Sequence, residues 1–251
     1  MSDSLSYVYA VTRGADPAQL DGLVGIDGGP VRLVASGDLQ AVTSDVDRAD
    51  FETRALEEHL EDLVWLEATV RAHHHVVDTV GHVHVVAPLA LATVYFDDDR
   101  VREVLEAGRP AFERVLDRLA GRGEWGVKAF AAPARRAQRE ERPRSGAEYL
   151  RARRRALREG NDTQEAAIHA AERFHEAAEA LASDSRRHRL QDASLSGASD
   201  PMVLNGAYLV AEADAAAFRE LVESWAGRDD VRLELTGPWV PYSFVRWGES
   251  A

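Results

Sequence analysis

The chain has 251 residues, 45% of them hydrophobic and 29% charged, enough to bury one large core or two smaller ones. It has no cysteine, which excludes disulfides, thiolate metal sites and cysteine nucleophiles, and its net charge of -13 opposes general nucleic-acid binding. The start lacks the basic and apolar stretches of a signal peptide, and no later run reaches the roughly 18 apolar residues of a spanning helix, so we expect a cytoplasmic protein with no membrane partner.

The stretch SYVYAVTR, residues 6–13, alternates as a strand and is closed by Gly14, Asp16 and Pro17. Residues 31–35 and 39–46 read as two strands joined tightly at Ser36, Gly37 and Asp38, a hairpin. From Phe51 to about Val80, Leu56, Leu60, Leu63, Leu66, Val70, His73 or His74, Val77 and Val80 recur at helical spacing, which predicts one long helix ended by Gly81. Residues 82–96 are β-branched and broken by Pro88, as expected of one or two edge strands. Asp97, Asp98 and Asp99 then cap a helix predicted to run to about Leu119, and EWGVKAFAA is a further strand. This order predicts an α+β sandwich with helices on one face of a mainly antiparallel sheet.

Residues 133–200 turn to Arg, Ala and Glu. Two helices are predicted there, separated by Gly160, Asn161 and Asp162, with Asp162 and Glu165 spaced as a capping box. Ile168, Ala171, Phe174, Ala178 and Leu181 form only a thin apolar stripe, so the pair should project from the core or pack through its alanines. A strand, a helix and a last strand over residues 231–245 complete a second, smaller α+β unit. The expected domains are therefore 1–132, a helical connecting region 133–200, and 201–251, with strand 124–132 assignable to either sheet.

Five of the nine histidines lie within residues 71–86, which raises the question of a metal. His73, His74 and His75 point about 100° apart on a helix and cannot converge on one ion. His74 and Asp78 have helical i,i+4 spacing, and His82 and His84 would share one strand face. A four-ligand site across Gly81 is therefore conceivable, and with it a metal-dependent enzyme. The HExxH signature is absent, and imidazoles at a helix end favour its dipole without any metal. No cofactor motif stands out: GIDGGP lacks the strand, GxGxxG and helix order of a pyrophosphate cradle, and no serine lies in a GxSxG elbow.

Between Arg135 and Arg158, ten arginines face Glu140, Glu141 and Glu148, a balance of +7 that leaves -20 on the rest of the chain. Arg151, Arg154, Arg155 and Arg158 are the candidate partner-binding face, able to pair with carboxylates or phosphates. An acidic protein partner and a nucleic acid are both open on this reading. The ending TGPWVPYSFV places Trp239, Tyr242 and Phe244 around Pro238 and Pro241, as core of the second domain or as a binding edge.

The phrases YVYAVT, GDLQAVTSDV, DLVWLEATVRAHHHVV, APLALATVYFDDDRVREVL, EWGVKAF, NGAYLV and TGPWVPYSFV, in this order over nearly the whole chain, resemble the GvpF/GvpL family of gas vesicle accessory proteins. The family often has an arginine where this chain has Ala90 and a second proline where it has Val240. The resemblance implies an N-terminal ferredoxin-like or modified α+β domain and a C-terminal α+β domain with no catalytic residues. It also implies a role in gas vesicle assembly through binding the hydrophobic major shell protein and other accessory proteins. Histidines at His73 and His74 are common in the family, which is not known as metal-dependent.

Overall fold

Tyr7 and Tyr9 point one way from the first strand and Val8 and Val11 the other, and all four are buried. This strand, β1 (Ser4–Arg13), is therefore covered on both faces. The structure is a computed structural model, which describes residues 4–132, 146–191 and 200–245. It forms two units, one of residues 1–121 with 240–251 and the other of residues 122–239.

In the first unit, β2 (Arg32–Ser36) and β3 (Leu39–Asp47) make the expected hairpin, turned at Gly37 with φ +63°, where a side chain would be strained. The strand order is β2-β3-β1-β4, with β4 (Val86–Pro88) at the edge and β5 (Val94–Tyr95) also paired to β1. A bulge between Val8 and Ala10 puts Tyr9 and Ala10 in the same cluster as Tyr7.

The predicted helix from Phe51 is three pieces: α1 (Arg48–Phe51), α2 (Thr53–Glu61) and α3 (Leu63–Gly81). Asp62 interrupts it by taking an extended conformation, its carboxylate accepting from the Val64 and Trp65 amides. The next helix is likewise two, α4 (Asp98–Ala107) and α5 (Arg109–Leu119). Pro110 forces that break, because its ring cannot follow the carbonyl one turn earlier. Asp97 caps α4 as expected, accepting from the Arg100 amide at 2.8 Å.

The sequence pattern predicts helices on one face of the sheet, but they lie on both. Val76, Val77 and Val80 of α3 pack with Tyr7, Tyr9 and Val42, whereas Val101, Leu105 and Phe112 of α4 and α5 meet Val8, Val11 and Ala41 on the other side. The cause is visible in β1, apolar at consecutive positions from Tyr7 to Val11, and in β3, buried at consecutive positions from Ala41 to Ser44.

In the second unit, β7 (Asp184–Arg187), β8 (Met202–Ala211), β6 (Arg122–Ala131) and β9 (Val231–Trp239) form an antiparallel sheet in the order β7-β8-β6-β9. Strand 122–131 thus belongs here, and so does the Arg/Ala-rich helix, since α6 (Gly146–Leu181) buries Ala167, Ala170, Ala171, Phe174 and Ala178. Of these, Ala170, Ala171, Phe174 and Ala178 join Trp125, Tyr208 and, from α7 (Ala215–Glu223), Phe218 in one core. The boundaries therefore differ from the expected 132 and 200: β6 and α6 lie in one unit because sheet pairing and alanine packing tie them together. Ile168 turns outward, 41% exposed.

One helix replaces the two expected around Gly160, with no capping break at Asp162. A glycine costs a helix about 1 kcal/mol, less than losing the hydrogen bonds of a turn with helix on both sides. Nothing lies within 4 Å of a Cβ built on Gly160. Gly160→Ala is therefore expected to raise stability by about 0.5–1 kcal/mol in circular-dichroism melts. A variant that melted earlier would mean the helix breaks there.

Candidate functional site

The Tyr7 hydroxyl, buried in the first unit, accepts from the Ala92 amide at 2.9 Å and lies 2.9 Å from His73 Nδ1. The phenol thus holds an amide and an imidazole nitrogen at once, inside the core. His73 is 1% exposed, and burial, with a smaller push from His74, lowers its pKa to about 4, so it is neutral at physiological pH. Burial raises the Tyr7 and Tyr9 phenols, which stay protonated. The neighbouring Tyr9 hydroxyl accepts from the Ile26 amide and contacts Ser44 Oγ at 2.7 Å. Gly25 allows this, because a Cβ there would sit 2.5 Å from the phenol oxygen. The second unit repeats the pairing, His175 Nδ1 to the Tyr208 hydroxyl at 2.8 Å, with burial and then Arg187 lowering the histidine's pKa.

These bonds hold the segment between β4 and β5. Leu89 N–H donates to Tyr9 O and Val8 N–H to Thr93 O, both at 2.9 Å, while the Thr93 hydroxyl donates to Ala90 O at 2.7 Å. Ala92 is held at φ +62°, a left-handed conformation unusual for a residue with a side chain. On its far side this segment rims an apolar cavity of about 310 Å³. Val8, Val11 and Ala41 form the floor, Val101, Val104, Leu105 and Phe112 the helical wall, and Leu89, Ala90, Thr93 and Tyr95 the rim. The wall is pinned at its ends: Arg32 binds Asp98 at 3.0 Å, and Arg109 binds Asp38 at 2.8 Å and Ser36 O at 2.7 Å. Beside the cavity, the outer edges of β4 and β5 pair with no further strand among the described residues.

The histidine candidates are not brought together. His82 and His84 lie in the turn after α3 and not on a strand; His82 Nδ1 contacts Asp78 O at 2.5 Å and His84 contacts Gln19. His74 packs against Tyr242 with ring centroids 5.1 Å apart. Among the described residues no group of three or more His, Asp or Glu side chains is placed to hold a metal. Arg154 and Arg158 are exposed on α6, whereas the side chains of Arg151 and Arg155, and residues 135–144, lie outside the described residues.

The aromatic ending separates. Trp239 closes β9 in the second unit, 55% exposed, but Tyr242 and Phe244 belong to the first, so they are not core of the second domain. The strand predicted through residue 245 stops at Trp239 and gives way to a 3-10 turn, Tyr242–Phe244. Phe244 is buried, and Tyr242 packs on His73 and His74. The cavity rim and its tie to Tyr7 escaped sequence reasoning, although APLALATVYF had stood out as a family phrase.

The family model for gas vesicle synthesis proteins GvpL/GvpF matches residues 5–246. This chain therefore belongs to the gas vesicle synthesis protein GvpL/GvpF family. It is 46% identical to gas vesicle protein L of Streptomyces sp. (strain CB03234), over 97% of this chain and 94% of that protein. It is 25% identical to gas vesicle protein F2 of Halobacterium salinarum, over 98% and 94%. The crystal structure of GvpF from Anabaena sp. PCC7120 shares the fold, with a TM-score of 0.69 and 16% identity over 99% of this chain and 98% of that one. GvpF from Microcystis aeruginosa matches with a TM-score of 0.63 and 17% identity, over 97% and 99%. Mixed helix and sheet in two sheets is thus the family architecture.

Two outcomes follow from the buried polar atoms. Tyr242 Oη and His73 Nε2 are both buried without a hydrogen-bond partner, and such a group costs about 1–3 kcal/mol. Tyr242→Phe should therefore leave stability unchanged or raise it, whereas Tyr242→Ala, losing the ring, should cost about 2–4 kcal/mol in urea denaturation. Because the His73 pKa is about 4 when folded and near 6.5 when unfolded, the unfolded chain binds more protons between those values. Stability is full above about pH 6.5 and should fall by up to roughly 3 kcal/mol on approach to pH 4. Denaturation midpoints from pH 7 to 4.5 read this loss, and His73→Gln should flatten it.

Proposed function

We propose that this protein is a cytoplasmic accessory factor in gas vesicle assembly that binds the hydrophobic major shell protein, with other vesicle proteins as further partners. The supporting observation is the apolar cavity of the first unit, lying open beside the free edges of β4 and β5 in a chain matched along its length to a gas vesicle synthesis family. A shell subunit with exposed apolar side chains aggregates unless they are covered before it joins the wall. The cavity accepts such side chains, and the strand edges add main-chain hydrogen bonds. The exposed arginines of α6, Arg154 and Arg158, suit acidic groups on other vesicle proteins and so contribute to partner choice. The ferredoxin-like description of the two units belongs to the same family reading, and no step of this function calls for a catalytic residue or cofactor.

Ala90 stands exposed at the cavity mouth, so Ala90→Trp closes the entrance without touching the core. Co-expressed with the major shell protein, the wild type should capture it and keep it soluble, while Ala90→Trp should melt like the wild type and capture about tenfold less, equivalent to about 1.4 kcal/mol. Equal capture by both would remove the cavity from the interface.

A further inference from the structure

Tyr95 lines a second cleft besides the apolar cavity, so the two share a wall. This cleft, about 600 Å³, is bounded by Phe51, Val94, Phe96, Arg48, Glu52 and Arg100. Phe96 is 69% exposed, a large apolar ring on the surface, and the Arg48 guanidinium lies over it, 5.7 Å from the ring centroid.

Arg48 is an arginine with spare donors. Its side chain is 24% exposed, the same as Arg109, yet Arg109 donates to Asp38 at 2.8 Å and Ser36 O at 2.7 Å. Among the described residues Arg48 has only Glu52, at 4.0 Å and beyond hydrogen-bond reach, and its buried Nε has no acceptor there. A part-desolvated guanidinium in that state gains most from a carboxylate, which can take two parallel N–H bonds in a fork that Lys or a neutral donor cannot supply. Of the cleft's charges, Arg100 is paired with Glu103 at 2.7 Å, so Arg48, 4.0 Å from Glu52, is the cation that an incoming anion meets. The cleft's other walls, Leu5, Phe51, Val94 and Phe96, are apolar and Tyr95 is common to cleft and cavity, so the anion they suit is carried on an apolar chain.

We infer that the Arg48–Phe96 cleft reads a single acidic side chain set within an apolar segment of the shell protein, with the carboxylate on Arg48 and its apolar neighbours on Phe96 and across Tyr95 in the cavity. This deepens the assembly reading and rests on it. Covering an apolar segment is non-specific by itself, whereas a charge that must find Arg48 sets its register and rejects segments that lack it.

The test is a double-mutant cycle on full-length protein with the major shell protein as probe. Each Asp and Glu of the shell protein is replaced in turn by its amide and captured by wild type, Arg48→Gln and Phe96→Ala. Arg48→Gln should weaken capture about tenfold, and one shell-protein amide variant should lose as much against wild type but nothing further against Arg48→Gln. Phe96→Ala, at an exposed position, should weaken capture about threefold and carries the test if Arg48→Gln does not fold by circular dichroism. Capture that is unchanged in Arg48→Gln, or amide effects that add in full to it, would overturn the carboxylate subsite while leaving the assembly reading intact. Failure of the wild type to capture any shell protein would instead defeat the assembly reading, and the subsite with it.

Discussion

A single phenol oxygen organises the first unit. The Tyr7 hydroxyl accepts the Ala92 amide from the cavity rim and shares a hydrogen bond with His73 on α3, so it joins the core face of the sheet to the segment that shapes the opposite face. Removing it would free a buried imidazole nitrogen and an amide at once, each costing about 1–3 kcal/mol. It would also release Ala92 from a backbone conformation that L-residues disfavour. The rim is therefore held by the core and is not an independent loop. That suits a binding surface, because a rim already in place loses little entropy when a partner arrives.

The cavity itself is a local departure from close packing that the surrounding charges make tolerable. Arg32 ties the start of α4 to β3, through Asp98 and Asp45, and Arg109 ties the start of α5 to the hairpin. With both helices pinned at their ends, the wall between them need not collapse onto Val8 and Val11. The second unit uses the same tyrosine-to-histidine bond inside a core closed by the alanines of α6. The shared pairing thus serves burial in both units, and in the first the apolar cavity lies on the opposite face of the sheet.

Much of this was legible in the order of residues. The hairpin at Gly37, the caps at Asp97 and the ends of α3 and β6 follow from turn chemistry and periodicity, which act over a few neighbours. The breaks at Asp62 and Gly108 and the continuity through Gly160 were not legible, because a helix boundary is decided by competition between local propensity and what the helix packs on. The placement of helices on both faces was hinted at by the consecutive apolar residues of β1, yet periodicity alone does not say which helix takes which face. Of the site, the phrase APLALATVYF and the burial of His73 were marked, but neither Arg48 nor Phe96 was, since an arginine's importance lies in which of its donors find acceptors.

By itself, then, the sequence determined the family, the α+β class, the absence of thiol chemistry and the residues able to form strands, helices and caps, all of which depend on composition and near-neighbour spacing. Only the tertiary structure decided that Tyr242 and Phe244 return to the first unit, that β6 and α6 belong with β8, that the histidines disperse, and that a cavity lies beside a part-satisfied arginine. These outcomes join residues tens to more than a hundred positions apart, Tyr7 with Ala92 and His73 with Tyr242 among them. Such contacts are chosen by how the whole chain can fill space and satisfy its polar atoms together, which no local window of sequence contains.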